Sequence, residues 1–569
     1  MPSLTGAQII ACALRDLDVD VLFGIVGIPV VEIAEEALNL GIKYIGFRNE
    51  QAASYAASVY GYLTGKPGVG NSSANAFPLL LLAGSSESHL TSRGAFQELD
   101  AISLLTPHTK LSVRPVSPDL IPSTIANAYR CSFYGRPGTG FVDFPADLIQ
   151  GLSSEQGSIQ KVVPPPKGGA QRDRVLAAAR LLKGAKAPLV VVGKGSAYAR
   201  AEAMIRELIE KTSIQFLPTP MGKGVLPDSH PNNVASARST ALKFADVVLV
   251  LGARLNWILH FGDAPKWNPN ARIIQVDISA EEIGRNHGDA SLGLVGDIAV
   301  VTEQLLDALN GWRWHPRVSD YAQRILESKR KNEVAAAAKA KVNKTPMSYE
   351  RSFSIIKTVL DRLSPPQKGG IVYVSEGANT MDISRSIFTV EQPRLRLDAG
   401  TYATMGIGMG YAIAAHVAYN GSGNSRAAKK KIVALEGDSA FGFSAMEVET
   451  MARYQMDVLI FVINNGGVYH GDSLNGDEWL KLQQATVEGV ASKGEGLRSW
   501  SLGWEVGYEK IAEACGGKGF IARTPEELAR ATEEGFKAKV PVVINVIIEA
   551  GQATKLVGSH IPLLVSWRF

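Results

Sequence analysis

Short apolar runs that alternate with longer helical patterns constrain the fold of this 569-residue chain more than any other feature. Runs rich in Val, Ile and Leu occur at Pro188–Gly193, Asp246–Ala253 and Arg272–Ile278, and each reaches a Gly or Asp near its end. A strand, a helix and a second strand in the same direction form a βαβ unit, so the alternation predicts α/β domains with open parallel sheets. The chain is too long for one hydrophobic core, which predicts about three domains.

Two interruptions of this pattern divide the chain into three blocks. Lys161–Gln171 is rich in Pro and Gly, which is typical of an extended linker. Glu327–Pro346 is charged and rich in Ala, which predicts a connecting helix that ends in a turn. The predicted domains are residues 1–160, 172–326 and 347–569.

Composition and charge exclude several functional classes. The net charge of +4 is small for this length and predicts neither nucleic acid nor a membrane as a partner. The three cysteines, Cys12, Cys131 and Cys515, are far apart, which argues for a reducing compartment and against a zinc site. No signal peptide or bilayer-spanning run is visible, and the final Trp567–Phe569 is not a peroxisomal SKL-type address. The expected setting is soluble and intracellular, either cytoplasmic or peroxisomal.

Two polar turns follow two neighbouring apolar runs in the third block. The run Ile432–Leu435 leads into Gly437–Ser439, and the run Val458–Ile463 ends at a pair of asparagines. Parallel strands joined by one crossover place their carboxyl ends side by side, so Asp438 and Asn465 are expected to lie close together. A carboxylate, an amide oxygen and a backbone carbonyl suit Mg²⁺ that also binds phosphate. An Asp at a helix N-cap beside an asparagine turn is an equally consistent interpretation of these residues alone.

The spacing of these turns resembles the GDG…NN signature of thiamine-diphosphate (ThDP) enzymes, because 24 residues separate Ser439 from Asn464. Ser439 stands where the signature has its third glycine, a position that contacts the diphosphate through its backbone. The resemblance implies that Asp438, Asn465 and the carbonyl of Gly467 hold Mg²⁺. The residues that it assigns to ThDP in this block are Asn379, Thr401, Tyr402, Met405, Gly437, Asp438, Ser439, Ala440, Asn465, Gly467 and Val468.

The first block contains a candidate for the catalytic base. Phe47–Gly65 begins like a strand and continues as a helical pattern from Glu50. A lone Glu at a helix start is often only a favourable partner of the helix dipole. By resemblance, Glu50 contacts N1′ of the aminopyrimidine from an apolar site and promotes the 4′-imino tautomer, which deprotonates C2 of the thiazolium. Gly400–Ala412 resembles the loop that holds the cofactor, with Met405 forcing the bent cofactor shape; ordinary core filling is the alternative for Met405.

Within the family the chain resembles the branch of 2-hydroxyacyl-CoA lyases and oxalyl-CoA decarboxylases, through Phe23–Val30, Phe216–Pro231, Ala245–Gly262 and Ser375–Arg385. This implies a pyrimidine-binding first domain, a central domain that binds the ADP part of CoA, and a diphosphate-binding third domain. The substrate would be an acyl-CoA. The candidate CoA contacts are Lys194, Lys223, Arg238 and Arg254 for phosphates and Asp277 for the ribose. Each lysine is equally consistent with a solvated surface.

Phe96-Gln97 bears on the choice between the two activities. Decarboxylases of the branch have Tyr-Glu here, whereas the lyases resemble this chain in having Phe-Gln. A neutral amide at Gln97 can hydrogen-bond a hydroxyl or carbonyl without repelling an anionic intermediate. This favours a lyase of fatty acid alpha-oxidation that forms formyl-CoA and an aldehyde one carbon shorter, with oxalyl-CoA decarboxylase as the alternative. Tyr469 is predicted to touch the substrate, and a packed aromatic is its alternative role.

Two departures from the family pattern affect the prediction. After Leu63–Gly70 the chain runs directly into Asn71–Gly84, where relatives have an extra strand, a turn and the start of a helix. Glu549–Phe569 does not resemble the Ser/Gly-rich tail that closes over CoA in relatives. The first domain is therefore predicted to lack a strand, and an inactive paralogue on the same fold is a further alternative. Because the family's site lies between subunits, the resemblance also implies a homodimer or homotetramer.

Overall fold

The computed structural model describes residues 3–66, 75–153, 159, 161–286, 289–316, 319–421, 428–489 and 495–551. These residues form three α/β regions that contain parallel sheets, which confirms the predicted fold class. No helix within the described ranges is long and apolar enough to cross a membrane.

The first region extends to residue 153. Its elements are β1 (Leu4–Thr5), α1 (Gly6–Asp16), β2 (Val21–Gly24), α2 (Val31–Asn39), β3 (Lys43–Gly46), α3 (Glu50–Thr64), β4 (Leu79–Ser85), α4 (Ala101–Leu105), β5 (Leu111–Val113), α5 (Ile121–Phe133), β6 (Thr139–Pro145), α6 (Ala146–Gln150) and β7 (Leu152–Ser153). Helix α3 begins where the Asn49 side chain accepts the backbone N–H groups of the first turn, and it ends at Gly65, whose φ of +79° suits glycine.

The parallel strands of the first region form two separate sheets. β2 pairs with β3, whereas β4 pairs with β6, which also pairs with β5. Within the described ranges no strand joins these two sheets. Residues 81–84 of β4 are partly exposed, although strands inside a parallel sheet are normally covered on both faces. The interruption falls in the domain that is predicted to lack a strand, and the junction at Gly70 lies outside the described residues.

The middle region is a parallel sheet in the order β12-β11-β10-β8-β9. Its elements are α7 (Arg172–Gly184), β8 (Pro188–Val192), α8 (Lys194–Tyr198), α9 (Glu202–Thr212), β9 (Gln215–Pro218), α10 (Arg238–Phe244), β10 (Val247–Leu251), β11 (Arg272–Asp277), β12 (Gly293–Val295) and α11 (Ile298–Ala308). β8 and β10 are buried along their whole length, as expected for apolar strands that helices cover on both faces.

The third region follows the connecting helix α12 (Asp320–Ala340) and contains one continuous parallel sheet in the order β14-β13-β15-β16-β18-β17. Its elements are α13 (Tyr349–Leu363), β13 (Ile371–Glu376), α14 (Ala378–Ile387), β14 (Arg396–Asp398), α15 (Gly408–Asn420), β15 (Lys431–Gly437), α16 (Asp438–Gly442), α17 (Glu447–Arg453), β16 (Leu459–Asn464), α18 (Gly476–Val487), α19 (Glu509–Ala514), β17 (Lys518–Ala522), α20 (Pro525–Lys537) and β18 (Val542–Ile547). β15 and β16 are paired neighbours, with Gly437 opposite Ile463, so their carboxyl ends meet as the sequence predicts.

Candidate active site

Asp438 lies where β15 passes into α16, at the carboxyl edge of the third sheet. Its side chain is 3% exposed. One carboxylate oxygen accepts the N–H of Ser439 at 2.8 Å, and the other accepts the N–H groups of Gly466 at 2.9 Å and Gly467 at 3.3 Å. Burial raises the pKa of Asp438 to about 6, although these N–H groups act in the opposite direction. The carboxylate therefore lies against the turn that follows β16.

The two asparagines at the end of β16 face different surroundings. Asn465 Oδ1 accepts the Gly467 N–H at 3.3 Å, and its Nδ2 donates to the Tyr469 carbonyl at 3.1 Å. Asn464 Nδ2 instead donates to the Asn545 side chain at 3.1 Å and to a backbone carbonyl at 3.3 Å. Asn465 thus contacts the Asp438 turn through both side-chain atoms, whereas Asn464 contacts it only through Oδ1, which accepts the Gly466 N–H at 3.2 Å.

Glycine is required in this turn. Gly466 has a φ of +75°, and a Cβ at Gly467 would lie 2.2 Å from the carbonyl oxygen of His470. Tyr469 also has a positive φ, +74°, and its side chain is 56% exposed. Its carbonyl accepts the Asn379 amide at 2.8 Å, which connects α14 to the same turn.

The other predicted diphosphate contacts surround Asp438. Gly437 is the last residue of β15, and Ser439 and Ala440 lie in the first turn of α16. The N–H of Val468 donates to the Trp500 carbonyl at 2.8 Å, so that donor is already used within the chain.

The donor set around Asp438 fits a hard divalent cation. Asp438 and Asn465 provide carboxylate and amide oxygens at one sheet edge, and Gly467 adds a backbone carbonyl in the same turn. Within the described ranges no group of three or more His, Cys, Asp or Glu side chains could hold a metal. A nearby cation would favour the charged form of the buried Asp438 carboxylate, which burial now disfavours. The residues therefore fit Mg²⁺ bound together with phosphate oxygens.

Side chains of the middle region contact the predicted cofactor loop, Gly400–Ala412. Thr401 Oγ1 accepts Arg254 at 3.0 Å and Asn256 at 3.3 Å, and its carbonyl accepts the Trp257 indole at 2.6 Å. Tyr402, the next residue, is 72% exposed. The start of the loop is thus fixed by the neighbouring region, which leaves Tyr402 open to solvent.

A pair of buried glutamates beneath this loop was missed by sequence reasoning. Glu376 in β13 and Glu436 in β15 lie opposite each other, and both are at most 1% exposed. Glu376 accepts the N–H groups of Gly406 and Gly408 immediately after Met405, which is half-buried. Burial raises the pKa of Glu376 to about 7 and that of Glu436 well above its ordinary range. A Glu-Gly pair at the end of each apolar run was the sequence signal.

The structure places Glu50 and Gln97 on the first region. Glu50 is exposed in the first turn of α3, not in the apolar site that its predicted role requires. Gln97 is exposed with a φ of +60°, in a loop where the Glu98 carboxylate accepts the N–H groups of Gly94 at 2.8 Å and Ala95 at 3.0 Å. Among the described residues of one chain, neither side chain hydrogen-bonds to the Asp438 turn.

The two lysines predicted to bind CoA lie at junctions between regions. Lys194 lies 4.4 Å from the centroid of the Phe77 ring and donates to the Asn75 carbonyl. Lys223 forms an ion pair with Asp228 at 2.9 Å and donates to two carbonyls of the third region at 2.6 and 3.2 Å. Either lysine would have to leave these contacts before it could bind a phosphate.

The other predicted CoA contacts have mixed surroundings. Arg238 donates to the Ile258 carbonyl, and Arg254 donates to Thr401 on the cofactor loop. Asp277 ends β11 at the carboxyl edge of the middle sheet, and burial raises its pKa to about 6. Asp277 is therefore at the sheet edge where ligands of such sheets bind.

Comparison with known proteins gives matches along the whole chain. Three family models match: the thiamine pyrophosphate enzyme N-terminal TPP binding domain at residues 4–74, the central domain at 175–305, and the C-terminal TPP binding domain at 376–546. The chain is 45% identical to 2-hydroxyacyl-CoA lyase 1 from Homo sapiens, over 97% of this chain and 96% of that protein. It is 40% identical to 2-hydroxyacyl-CoA lyase from Arabidopsis thaliana, over 96% of each. It is 37% identical to oxalyl-CoA decarboxylase from Escherichia coli K12, over 97% of each.

Proposed function

The chain belongs to the thiamine pyrophosphate enzymes, and on this premise we propose that it is a ThDP- and Mg²⁺-dependent carbon–carbon lyase. It cleaves a 2-hydroxyacyl-CoA to formyl-CoA and an aldehyde one carbon shorter. The observation that supports this most is the buried Asp438 turn in a chain that is 45% identical to a 2-hydroxyacyl-CoA lyase over 97% of its length.

The Asp438 turn would hold the metal together with the diphosphate of the cofactor. Asp438 and Asn465 supply side-chain oxygens, and Gly467 supplies its carbonyl. Because Gly467 has no side chain, the turn can keep the close approach to His470 that the structure shows. When bound, ThDP supplies a nucleophilic carbon at thiazolium C2 and an electron sink for cleavage of the C1–C2 bond.

Glu50 holds the proton at N1′ of the aminopyrimidine, and Met405 supports the ring system from the other cofactor loop. For this task Glu50 must be covered by a neighbour, because a general acid/base is tuned by burial. The neutral side-chain amide of Gln97 donates a hydrogen bond to the substrate hydroxyl or carbonyl. Tyr469, which is exposed beside the metal turn, contacts the substrate.

A second copy of the chain is the neighbour that covers Glu50. Glu50 is exposed in one chain, and large apolar side chains are exposed on both participating regions. On the first region these include Ile28 at 67% and Phe96 at 73%, and on the third region Phe443 at 60%. This supports a homodimer or homotetramer with the site between subunits. The free cysteines support a cytoplasmic or peroxisomal setting.

Product analysis tests the activity. The purified chain with ThDP and Mg²⁺ is given a 2-hydroxyacyl-CoA or oxalyl-CoA at equal concentration. We expect formyl-CoA and aldehyde from the first and little CO₂ from the second, since Phe96-Gln97 favours the lyase. Faster CO₂ release than aldehyde formation would contradict the lyase and favour oxalyl-CoA decarboxylase.

An inactive or weakly active paralogue is a second candidate, because the described parallel strands of the first region form two sheets that no described strand joins. The melting temperature with and without ThDP and Mg²⁺, measured together with turnover, distinguishes the two. A clear rise together with turnover supports the lyase, whereas a rise without turnover supports the paralogue.

A further inference from the structure

A buried carboxylate of the third region holds the segment that precedes Glu50. Glu447, the first residue of α17, is 1% exposed. Its two oxygens accept the backbone N–H of Arg48 at 3.1 and 3.3 Å. The hydroxyl of Thr450, also fully buried, donates to the same carboxylate at 2.7 Å and orients it. A charged acceptor thus binds the main chain two residues before Glu50.

The end of α17 holds the same segment at a second point. The Tyr454 hydroxyl accepts the Gly46 N–H at 2.8 Å and donates to the Tyr44 carbonyl at 3.1 Å. Arg453 donates to the Gly46 carbonyl at 2.7 Å. Residues 44–48 and 447–454 together are called here the Glu447 junction. It restrains the backbone donors and acceptors that β3 leaves unused where it ends.

Within one chain, the Glu447 junction connects the segments that lead to Glu50 and follow Asp438, each of which contributes to a proposed site shared with another subunit. α17 follows α16, which begins with Asp438, whereas Arg48 leads through the cap residue Asn49 into the helix that begins with Glu50. That helix also lies against α15 so closely that a Cβ at Gly410 would be 2.5 Å from the Ala52 carbonyl oxygen. The start of α3 is therefore restrained by two elements that each follow a cofactor loop.

We propose that Glu447 is a positioning residue for Glu50: it fixes the start of α3 so that the Glu50 carboxylate is presented at a defined place. This inference rests on the proposed function, because it assigns Glu447 a role through the base. A residue that only held two regions together would affect stability without acting through Glu50.

The first test is amide hydrogen exchange of the full chain without cofactor. Glu447→Gln replaces a charged acceptor with a neutral one, so the Arg48 amide and its neighbours at 45–52 should exchange at least about tenfold faster. Glu391→Gln is the matched control, because Glu391 is also buried and accepts one N–H at 3.2 Å and one hydroxyl at 2.7 Å, both from Ser229 at another junction. It should lower the melting temperature without changing exchange at 45–52. Unchanged exchange at 45–52 in Glu447→Gln would overturn the inference.

The second test uses the holoenzyme and follows exchange of the thiazolium C2 hydrogen in D₂O. Glu447→Gln should slow this exchange at least about tenfold in the parent, but by less than about twofold when Glu50 is already Gln. Glu391→Gln should stay within about twofold of the parent. Equal losses in both backgrounds would show that Glu447 does not act through Glu50. If the parent itself shows no C2 exchange, the proposed function fails, and the amide exchange at 45–52 still decides whether Glu447 holds the segment.

A milder variant covers the case in which Glu447→Gln does not fold. Thr450→Val keeps the side-chain shape and removes the hydroxyl that orients the Glu447 carboxylate. Like Glu447→Gln, it should speed amide exchange at 45–52 and slow C2 exchange, but by smaller factors. A folded Thr450→Val chain with parent-like exchange in both measurements would contradict the positioning role.

Discussion

The first and third regions both begin from apolar parallel strands, yet they position their site residues differently. In the third region one continuous sheet places Asp438 and Asn465 at the ends of paired neighbours. In the first region the described parallel strands form two sheets that no described strand joins, and the segment before Glu50 is held by Glu447 of the third region. The comparison teaches that a continuous sheet positions residues by strand register, whereas an interrupted one depends on contacts from outside.

A gap between two sheets has an energetic cost, because it leaves backbone groups without partners. An unmatched backbone N–H or C=O costs about 1–3 kcal/mol when it is buried. A domain's total stability is only about 5–15 kcal/mol, so several such groups would destabilise it seriously. Residues 81–84 of β4 are partly exposed, so this part of the strand loses some apolar burial.

The strongest predicted effect comes from removing the metal site of the third region, whose sheet is continuous. Asp438→Ala should abolish Mg²⁺-dependent ThDP binding, because it deletes the only charged member of the proposed ligand set. Titration calorimetry with ThDP and Mg²⁺ measures this, with Asp477→Ala, an exposed residue of α18, as the control. Parent-like affinity in Asp438→Ala would show that the metal is held elsewhere.

The second prediction concerns Glu50, the proposed base that the first region contributes to the site. Glu50→Gln should keep ThDP binding and reduce turnover by about 10²-fold or more, the usual size of a general acid/base contribution. The rate of C2 hydrogen exchange in bound ThDP separates this role from a binding role. An unchanged exchange rate would exclude Glu50 as the group that activates the cofactor.

The third prediction concerns the strand that the first region is predicted to lack. Inserting a family-like strand and turn after Val69 should join the two sheets and raise both the melting temperature and the affinity for ThDP. A gain of a few kcal/mol corresponds to about 5 °C or more for a domain of this size. A Gly/Ser insertion of equal length at the same point is the matched control. If the chain without the insertion already matches the chain with it in melting temperature, ThDP affinity and turnover, the missing strand has no functional consequence.

The smallest effect concerns the buried acids of the continuous sheet. The pKa of Glu376 is raised to about 7 from an ordinary 4.5, so the folded chain binds more protons than the unfolded chain between these values. The free energy of unfolding should therefore fall as pH rises from about 4.5 to 7, by about 1.4 kcal/mol for each unit of pKa difference. Glu376→Gln should reduce this slope in denaturant unfolding without cofactor, but part of it should remain because burial also raises the pKa values of Glu436, Asp438 and Asp277. A parent-like slope would mean that Glu376 does not contribute to it.

Much of the site could be predicted from local sequence. Apolar runs that end in short polar turns specify strands and their carboxyl ends, so Asp438 and Asn465 were predicted to be neighbours before any contact was known. The connecting helix was also predicted, although it begins at Asp320, before the predicted Glu327. Each prediction depends on residues close in sequence or on the pairing of two consecutive strands, where the range of possible arrangements is small.

Other features depended on the tertiary structure. A charged side chain looks the same in sequence whether it faces solvent or a neighbouring region, so the contacts of Lys194 and Lys223 at the junctions could not be predicted. The pairing of Glu376 with Glu436 required the order of the strands, because Glu436 lies 60 positions after Glu376 in sequence.

Apolar periodicity and turn chemistry act over a few residues, so the α/β class, the three regions and the acidic and asparagine turns follow from the sequence alone. The tertiary structure was needed to show that Asp438 accepts the N–H groups of Gly466 and Gly467, that the described parallel strands of the first region form two sheets, and that Glu447 holds Arg48. Glu447 and Arg48 are 399 residues apart, and their contact exists only because two regions pack together. Such contacts depend on the relative placement of whole sheets and helices, which no local pattern encodes.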